Sequence, residues 1–137
     1  MLRLTAQDAD DLIVISAQMQ DAVLKFADLN FNSKRRRFTL VANRFAWDEA
    51  KQKQRRRTGL HFDYVKTVQK SGFKNVNADT ILSLLAINFV ATDELSGQVT
   101  LAFSAGHQLR LDVECLDASM ADMGPAWSTE AVPSHES

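Results

Sequence analysis

Cysteine is almost absent from this chain of 137 residues, in which Cys115 is the single example. One cysteine excludes a disulfide within the chain and any zinc cluster built from several cysteines of one chain. No stretch reaches the roughly 18 apolar residues that a membrane-spanning helix needs. The N-terminus also lacks a signal-peptide pattern, because three aspartates precede an apolar run of only four residues. These absences predict a cytoplasmic protein without a membrane span.

Familiar catalytic motifs are missing as well. The sequence has no Gly-rich phosphate loop, no Gly-x-Ser-x-Gly elbow and no zinc-protease helix motif. The residues that could ligate a metal are His61, Asp63, His107, Asp112 and Glu114. One ion cannot bind all of them, because Asp112 and Glu114 follow His107 by roughly 17 to 23 Å of extended strand. We therefore expect no catalytic residue, no cofactor and no metal, and a non-enzymatic function is favoured over an enzyme.

Charge is unevenly distributed, although the net charge is only -1. Residues 34–74 contain 13 of the 16 Lys and Arg but three of the 17 acids, whereas residues 75–137 contain one Arg and nine acids. Such segregation indicates either an anionic partner for the middle third or attraction between the middle and last thirds.

The hydrophobic pattern predicts a helix, six strands and a second helix. Thr5 and Asp8 resemble a capping box for a helix over about residues 6–20. Leu116, Met120 and Met123 are spaced as on a helical face, and the Gly-Pro pair that follows is typical of a helix end. Apolar and extended segments predict strands within residues 22–31, 37–47, 60–68, 81–91, 99–105 and 109–114, the last two joined as a hairpin through Gly106.

These elements predict a single α+β domain over residues 1–127 with a polar tail over 128–137. We expect a strongly bent antiparallel sheet or small barrel of about six strands, with the N-terminal and C-terminal helices packed on it. The arrangement resembles a pleckstrin-homology-type (PH-like) barrel, an analogy that implies no function. The predicted core contains Leu82, Leu84, Leu85, Ile87, Leu101, Phe103, Leu111 and Leu116.

Two basic clusters are the candidate binding sites. If the strands meander, loops alternate between the two ends of the sheet, and the acid-free end gathers loops 32–36, 70–75 and 105–108. The residues predicted to bind an anion there are Lys34, Arg35, Arg36, Lys70, Lys74 and His107. A secondary basic loop, partly offset by acids near it, contains Lys51, Lys53, Arg55, Arg56 and Arg57. Alternatively, both clusters are solvated hairpin tips that prevent edge aggregation.

Asn43, Arg44, Phe45 and Trp47 combine an amide, a cation and two aromatic rings. Such a group can stack bases or sugars, but the alternation of Phe45 and Trp47 favours packing in a core. Arg44 is then expected on the opposite face of the strand or at a bulge.

Several segments together resemble a family of alphaproteobacterial proteins classed as a domain of unknown function. They are RRFTLVANRFAWDE, RTGLHFDYV, LSLLAINF, RLDVECL and GPAW, with PSH near the end. The resemblance covers nearly the whole chain and implies no assigned activity, cofactor or catalytic residue.

We therefore expect a small binding module whose basic hairpin loops recognise nucleic acid, an acidic protein or a phosphorylated ligand. The alternative is a protein-protein interaction or assembly domain that uses an apolar sheet surface. The sequence is also compatible with a homo-oligomer.

Overall fold

Antiparallel sheet dominates the computed structural model, which describes residues 2–46, 54–124 and 127–128. Its strands are β1 (Arg3–Ala6), β2 (Ala22–Lys25), β3 (Leu29–Asn32), β4 (Arg37–Phe45), β5 (Gln54–Phe62), β6 (Val65–Ser71), β7 (Ile81–Ala91), β8 (Gly97–Phe103), β9 (Gln108–Val113), β10 (Ala118–Asp122) and β11 (Trp127–Ser128). Among the described residues there is one α-helix, α1 (Ala9–Met19). Short 3₁₀ turns lie at Phe26–Asp28 and Ser104–Gly106.

The predicted six-stranded, PH-like α+β fold with helices at both ends is therefore wrong. The pairings join eleven strands in one sheet, and the order along its main path is β1-β10-β5-β4-β2-β7-β8-β9-β6. β3 pairs with β4, and β11 pairs with β5. The hairpin predicted around Gly106 is confirmed, since β8 and β9 pair antiparallel.

The predicted C-terminal helix is a strand instead. β10 lies between β1 and β5, and its residues Ala118, Met120 and Asp122 are buried while Ser119 and Ala121 are partly exposed. Leu116 and Met120 are four positions apart, and that even spacing places both on one face of a strand as well as of a helix. The spacing alone therefore did not distinguish the two structures.

The N-terminal helix is preceded by a strand that the sequence reading missed. α1 begins at Ala9, and the side chain of Asp8, not Thr5, caps it by accepting a hydrogen bond from the Asp11 amide at 2.8 Å. The buried residues of α1, Leu12, Ile15 and Met19, join the core. The hydroxyl oxygen of Ser16 accepts a hydrogen bond from the Ile87 amide at 2.9 Å, which joins α1 to β7.

The segment predicted as one strand over 60–68 is divided between β5 and β6. Only Asp63 and Tyr64 separate them, and Tyr64 adopts a positive φ of 58°. β5 and β6 are nevertheless six places apart in the sheet order, or roughly 29 Å in a flat sheet at about 4.8 Å per strand. A two-residue connection spans only about 11 Å. The sheet must therefore curl until β6 returns beside β4 and β5, where the Val65 amide donates to the Arg36 carbonyl at 2.9 Å.

The buried apolar side chains of α1 and the strands form one cluster inside this curl. Seven of the eight predicted core residues are buried: Leu82, Leu84, Ile87, Leu101, Phe103, Leu111 and Leu116. Leu85 is 43% exposed, because strand alternation places it on the face opposite Leu82 and Leu84, and the register shift between Leu84 and Ala86 lets Ile87 return to the buried face.

Candidate functional site

The predicted anion-binding residues Lys34, Arg35 and Arg36 lie in the turn between β3 and β4. All three are exposed, and Arg36 forms an ion pair with Glu114. The adjoining hollow of about 390 Å³ is lined by Arg35, Arg36, Asp63, Tyr64 and Glu114. The two acids offset the positive charge at this end of β6.

Lys70 and His107 lie at the other end of β6 and are associated through two aromatic rings. The Lys70 ammonium is 5.1 Å from the centre of the Phe26 ring, and the His107 ring stacks on Phe73 at 4.9 Å. Phe26 and Phe73 are themselves 5.4 Å apart. Lys74 is exposed in the segment after β6.

The six predicted residues therefore do not occupy one end of the sheet. Arg36 adjoins Val65 at the start of β6, whereas Lys70 is five residues further along, or roughly 17 Å. The meander assumption failed because β6 does not pair with β5 but crosses to β9. Loops 70–75 and 105–108 do meet, and the His107 Nδ1 lies within hydrogen-bonding distance of the Gly72 carbonyl.

The secondary basic loop is only partly described, since Lys51 and Lys53 lie outside the described residues. Arg55, Arg56 and Arg57 are part of β5. Arg55 donates to the Asn43 carbonyl at 3.1 Å, and burial lowers the pKa of its guanidinium, an effect that Asp21 partly offsets. Only Arg57 of these three is exposed.

A buried ionic cluster, the Arg44 cluster, comprises Gln18, Arg44, Arg56, Thr58 and Asp122. Arg44 Nε and Nη2 each donate to Asp122 at 2.8 Å, and neither side chain is exposed. Arg44 shares the inward face of β4 with Phe38, Leu40 and Ala42, so alternation places it opposite Phe45 as predicted, and both residues are buried. Trp47, the other aromatic of that prediction, lies outside the described residues.

The Asp122 carboxylate accepts hydrogen bonds from several groups. It also accepts hydrogen bonds at 2.8 Å from the Thr58 hydroxyl and from the Leu2 amide, and Arg56 Nε is 3.8 Å away. Burial raises the pKa of Asp122, but the hydrogen bonds from Arg44, Leu2 and Thr58 outweigh it and lower the pKa to about 2. The cluster therefore fastens β1, β4, β5 and β10 together at one side of the core.

An apolar cleft follows a seam that we define as the space between β3 and β6. Within the described part of the chain no backbone hydrogen bond joins these two strands, which pair instead with β4 and β9. The seam cleft has a volume of about 250 Å³ and is lined by Phe26, Leu29, Asn30, Phe31, Phe38, Val68, Lys70 and Leu109. Its apolar walls include the partly buried Phe26, Leu29, Phe31 and Val68.

Lys70 also borders a polar hollow of about 260 Å³ on the outer face of β6 and β9. Its other lining residues are Gln69, Ser71, Gln108 and Arg110. Arg110 donates a hydrogen bond to Gln69. Lys70 therefore lines both the polar hollow and the apolar cleft, with its ammonium over the Phe26 ring of the cleft, whereas Arg110 lies on the outer face.

Acids near this region are engaged with other groups. Asp112 accepts from the Thr67 hydroxyl at 2.7 Å, Asp79 is 3.9 Å from the Lys25 ammonium, and Asp28 accepts from the Lys25 amide at 3.3 Å. None of these bonds involves Lys70 or Arg110. Sequence reading missed the aromatic side of the site, although Phe73, an apolar residue in the polar segment KSGFKN, was a usable signal.

The residues considered as possible metal ligands do not converge in the part of the chain that the structure describes. No group of three or more His, Cys, Asp or Glu residues is placed there to hold an ion. His61 Nε2 is 3.6 Å from Asp63, but Arg37 already binds that carboxylate at 2.7 and 3.3 Å. Within the same residues, no helix has the length and apolar character to span a bilayer.

Comparisons with known proteins identify a family without extending to function. No curated protein and no solved structure matches the chain. A family model described as a protein of unknown function (DUF2948) matches residues 2–135, which is nearly the whole chain. The chain therefore belongs to the DUF2948 family.

Proposed function

We propose that this protein is a non-enzymatic binding module for a small anionic ligand whose charge is bound beside Lys70. The observation that carries the proposal is the position of Lys70, which borders both the seam cleft and the polar hollow with Arg110. The Lys70 ammonium beside a hollow lined by amide and hydroxyl groups suits a carboxylate or a phosphate, both of which accept several hydrogen bonds.

The distribution of charge favours a small anion over a polyanion. Nucleic acid binding depends on many phosphate contacts spread along a continuous basic surface. Here the basic turn 34–36 is offset by Glu114, and Arg55 and Arg56 are tied into β5. A hollow of about 260 Å³ fits one anionic group better than an extended strand.

The test is a titration with inorganic phosphate and with acetate, followed through backbone amide chemical shifts at about 50 mM salt. We expect shifts for the amides of residues 69–71 and 108–110, and their loss in Lys70→Met. Methionine keeps much of the stem over Phe26 and removes only the charge. Lys66→Met is the matched control, because Lys66 is also an exposed lysine of β6.

The same titration is repeated with two polyanions, heparin and single-stranded DNA. Shifts confined to turn 34–36, with residues 69–71 unaffected, would contradict the small-anion proposal in favour of a polyanion. No response to any of the four probes would contradict anion binding altogether.

A second candidate function is protein-protein contact through an apolar sheet surface. The favouring observation is an outer-face hollow of about 280 Å³ across β4, β5 and β10, beside Met123, which is 47% exposed. Gly59 lies at its floor, where an added Cβ would be 3.0 Å from the Met123 sulfur. Sedimentation of the wild type and Met123→Lys tests it: a dimer that the variant abolishes would support assembly, and a monomer in both would contradict self-assembly.

A further inference from the structure

We infer that the ligand is amphipathic, with an unbranched apolar chain in the seam cleft and its carboxylate or phosphate at Lys70. This inference rests on the proposed function and adds the ligand's class. The supporting features are the open seam between β3 and β6, the inward register of Lys70 and the volume of the cleft.

The seam provides an apolar channel because two strand edges face each other without pairing. Among the described residues, one backbone hydrogen bond joins β6 to the turn before β4, from the Val65 amide to the Arg36 carbonyl. Further along, side chains of Phe31 and Val68 line the space where ladder hydrogen bonds would otherwise run. A ligand chain seated there would cover these partly exposed apolar groups, which is favourable in water.

Lys70 is on the inward face of β6. Val68 pairs with Leu111 and Lys70 pairs with Leu109, and both leucines are buried. Gln69, in contrast, pairs with the exposed Arg110 on the outer face. The Lys70 stem therefore runs along the apolar cleft, and its ammonium lies over the Phe26 ring. The register therefore places one positive charge beside the apolar cleft.

An inward-pointing lysine on an edge strand also has a purely protective use, since it prevents edge-to-edge aggregation. Protection of the strand edge requires only the positive charge of Lys70. It gives no reason for a cleft of about 250 Å³ beside that charge. The two explanations differ in what they predict for ligands of different chain length.

The volume limits the length of the apolar chain. The cleft has a finite volume of about 250 Å³, so only a limited length of apolar chain can be buried in it. Burying one methylene strengthens binding about fourfold. Affinity should therefore rise by about that factor per methylene along the series and stop rising once the chain is longer than the cleft.

The experiment measures dissociation constants for acetate, butanoate, hexanoate, octanoate and decanoate below their micelle concentrations, by amide chemical shifts and calorimetry. 1-Octanol is the uncharged control ligand. Lys70→Met should weaken octanoate about tenfold and leave 1-octanol unchanged, and Lys70→Arg should restore octanoate. Lys66→Met should bind as the wild type does. Val68→Phe, which narrows the cleft, should weaken octanoate but not phosphate.

Each other outcome identifies what has failed. Lys70-dependent binding of phosphate with no effect of chain length overturns the amphipathic inference and leaves the proposed function standing. Equal binding of octanoate and 1-octanol, both unaffected by Lys70→Met, overturns the anion site. Self-association of Lys70→Met with unchanged octanoate binding supports the protective role and overturns both proposals.

Discussion

The Arg44 cluster and the seam cleft both place charged side chains beside the apolar interior, but they differ in how those charges are paired. In the Arg44 cluster, side chains of β4 and β5 bind the Asp122 carboxylate of β10. Asp122 accepts four hydrogen bonds at 2.8 Å. In the seam, β3 and β6 face each other without pairing, and Lys70 lies over an aromatic ring beside a cleft. The first arrangement is a structural fastening. The second is the site that we propose for a ligand.

The largest expected effect comes from breaking the Arg44 cluster. Arg44→Met leaves the buried Asp122 without its main partner, and loss of one member of a buried ion pair typically costs about 3 to 5 kcal/mol. Urea unfolding monitored by circular dichroism measures the change. Arg57→Met, an exposed arginine of the adjacent β5, should cost less than about 0.5 kcal/mol.

The double variant Arg44→Met/Asp122→Leu sharpens this result. It removes both charges, so we expect it to recover most of the stability that Arg44→Met loses. A cost below about 1 kcal/mol for Arg44→Met alone would show that the cluster is not the fastening described above.

The next effect is a loss of stability in acid. Because the pKa of Asp122 falls from 3.8 to about 2 on folding, its contribution is present above pH 3.8 and is lost as the pH drops through 2. We expect it to account for about 2 kcal/mol between pH 5 and pH 2. Urea unfolding across that range measures it, with Asp122→Asn as the comparison. Equal acid losses in the two proteins would contradict the assignment.

Strand alternation predicted part of the fold well. β7 spans residues 81–91 as the sequence indicated, and β8 and β9 form the hairpin around Gly106. The break at Asp63 and Tyr64 was missed because neither Gly nor Pro marks it. β10 was mistaken for a helix because Leu116 and Met120 fit both periodicities. The local sequence pattern could not predict these two features, because they depend on pairing between strands that are distant in the chain.

The candidate site was less predictable for the same reason. The cationic residues were visible in the sequence, and Lys70 and His107 do lie at one end of β6. Their separation from Arg36 depends on β6 pairing with β9, which no local pattern reveals. Arg44 and Asp122 are 78 positions apart, so their bond could not be recognised from neighbouring residues.

A smaller effect is expected for apolar truncation in the seam. Val68→Ala should lower the free energy of unfolding by about 1 kcal/mol or less, because Val68 is partly exposed beside an existing cleft. Val99→Ala, the same change at a residue with 0% exposure, should cost about 2 kcal/mol, since it leaves a cavity in the core. Equal losses in urea unfolding would show that the seam is packed as tightly as the core.

The smallest effect is expected at the start of the seam, where Arg36 and Glu114 form an exposed ion pair with side chains 53% and 43% exposed. Exposed pairs contribute about 0 to 1 kcal/mol and are screened by salt. Arg36→Gln should therefore cost at most about 0.5 kcal/mol, and less at high salt. Glycine is unsuitable here, because Arg36 has a positive φ of 53° and glycine would change the backbone preference as well as the charge. A double-mutant cycle with Glu114→Gln isolates the pair. A coupling above about 2 kcal/mol would contradict the assignment of this pair as a weak surface contact between the turn before β4 and the residue after β9.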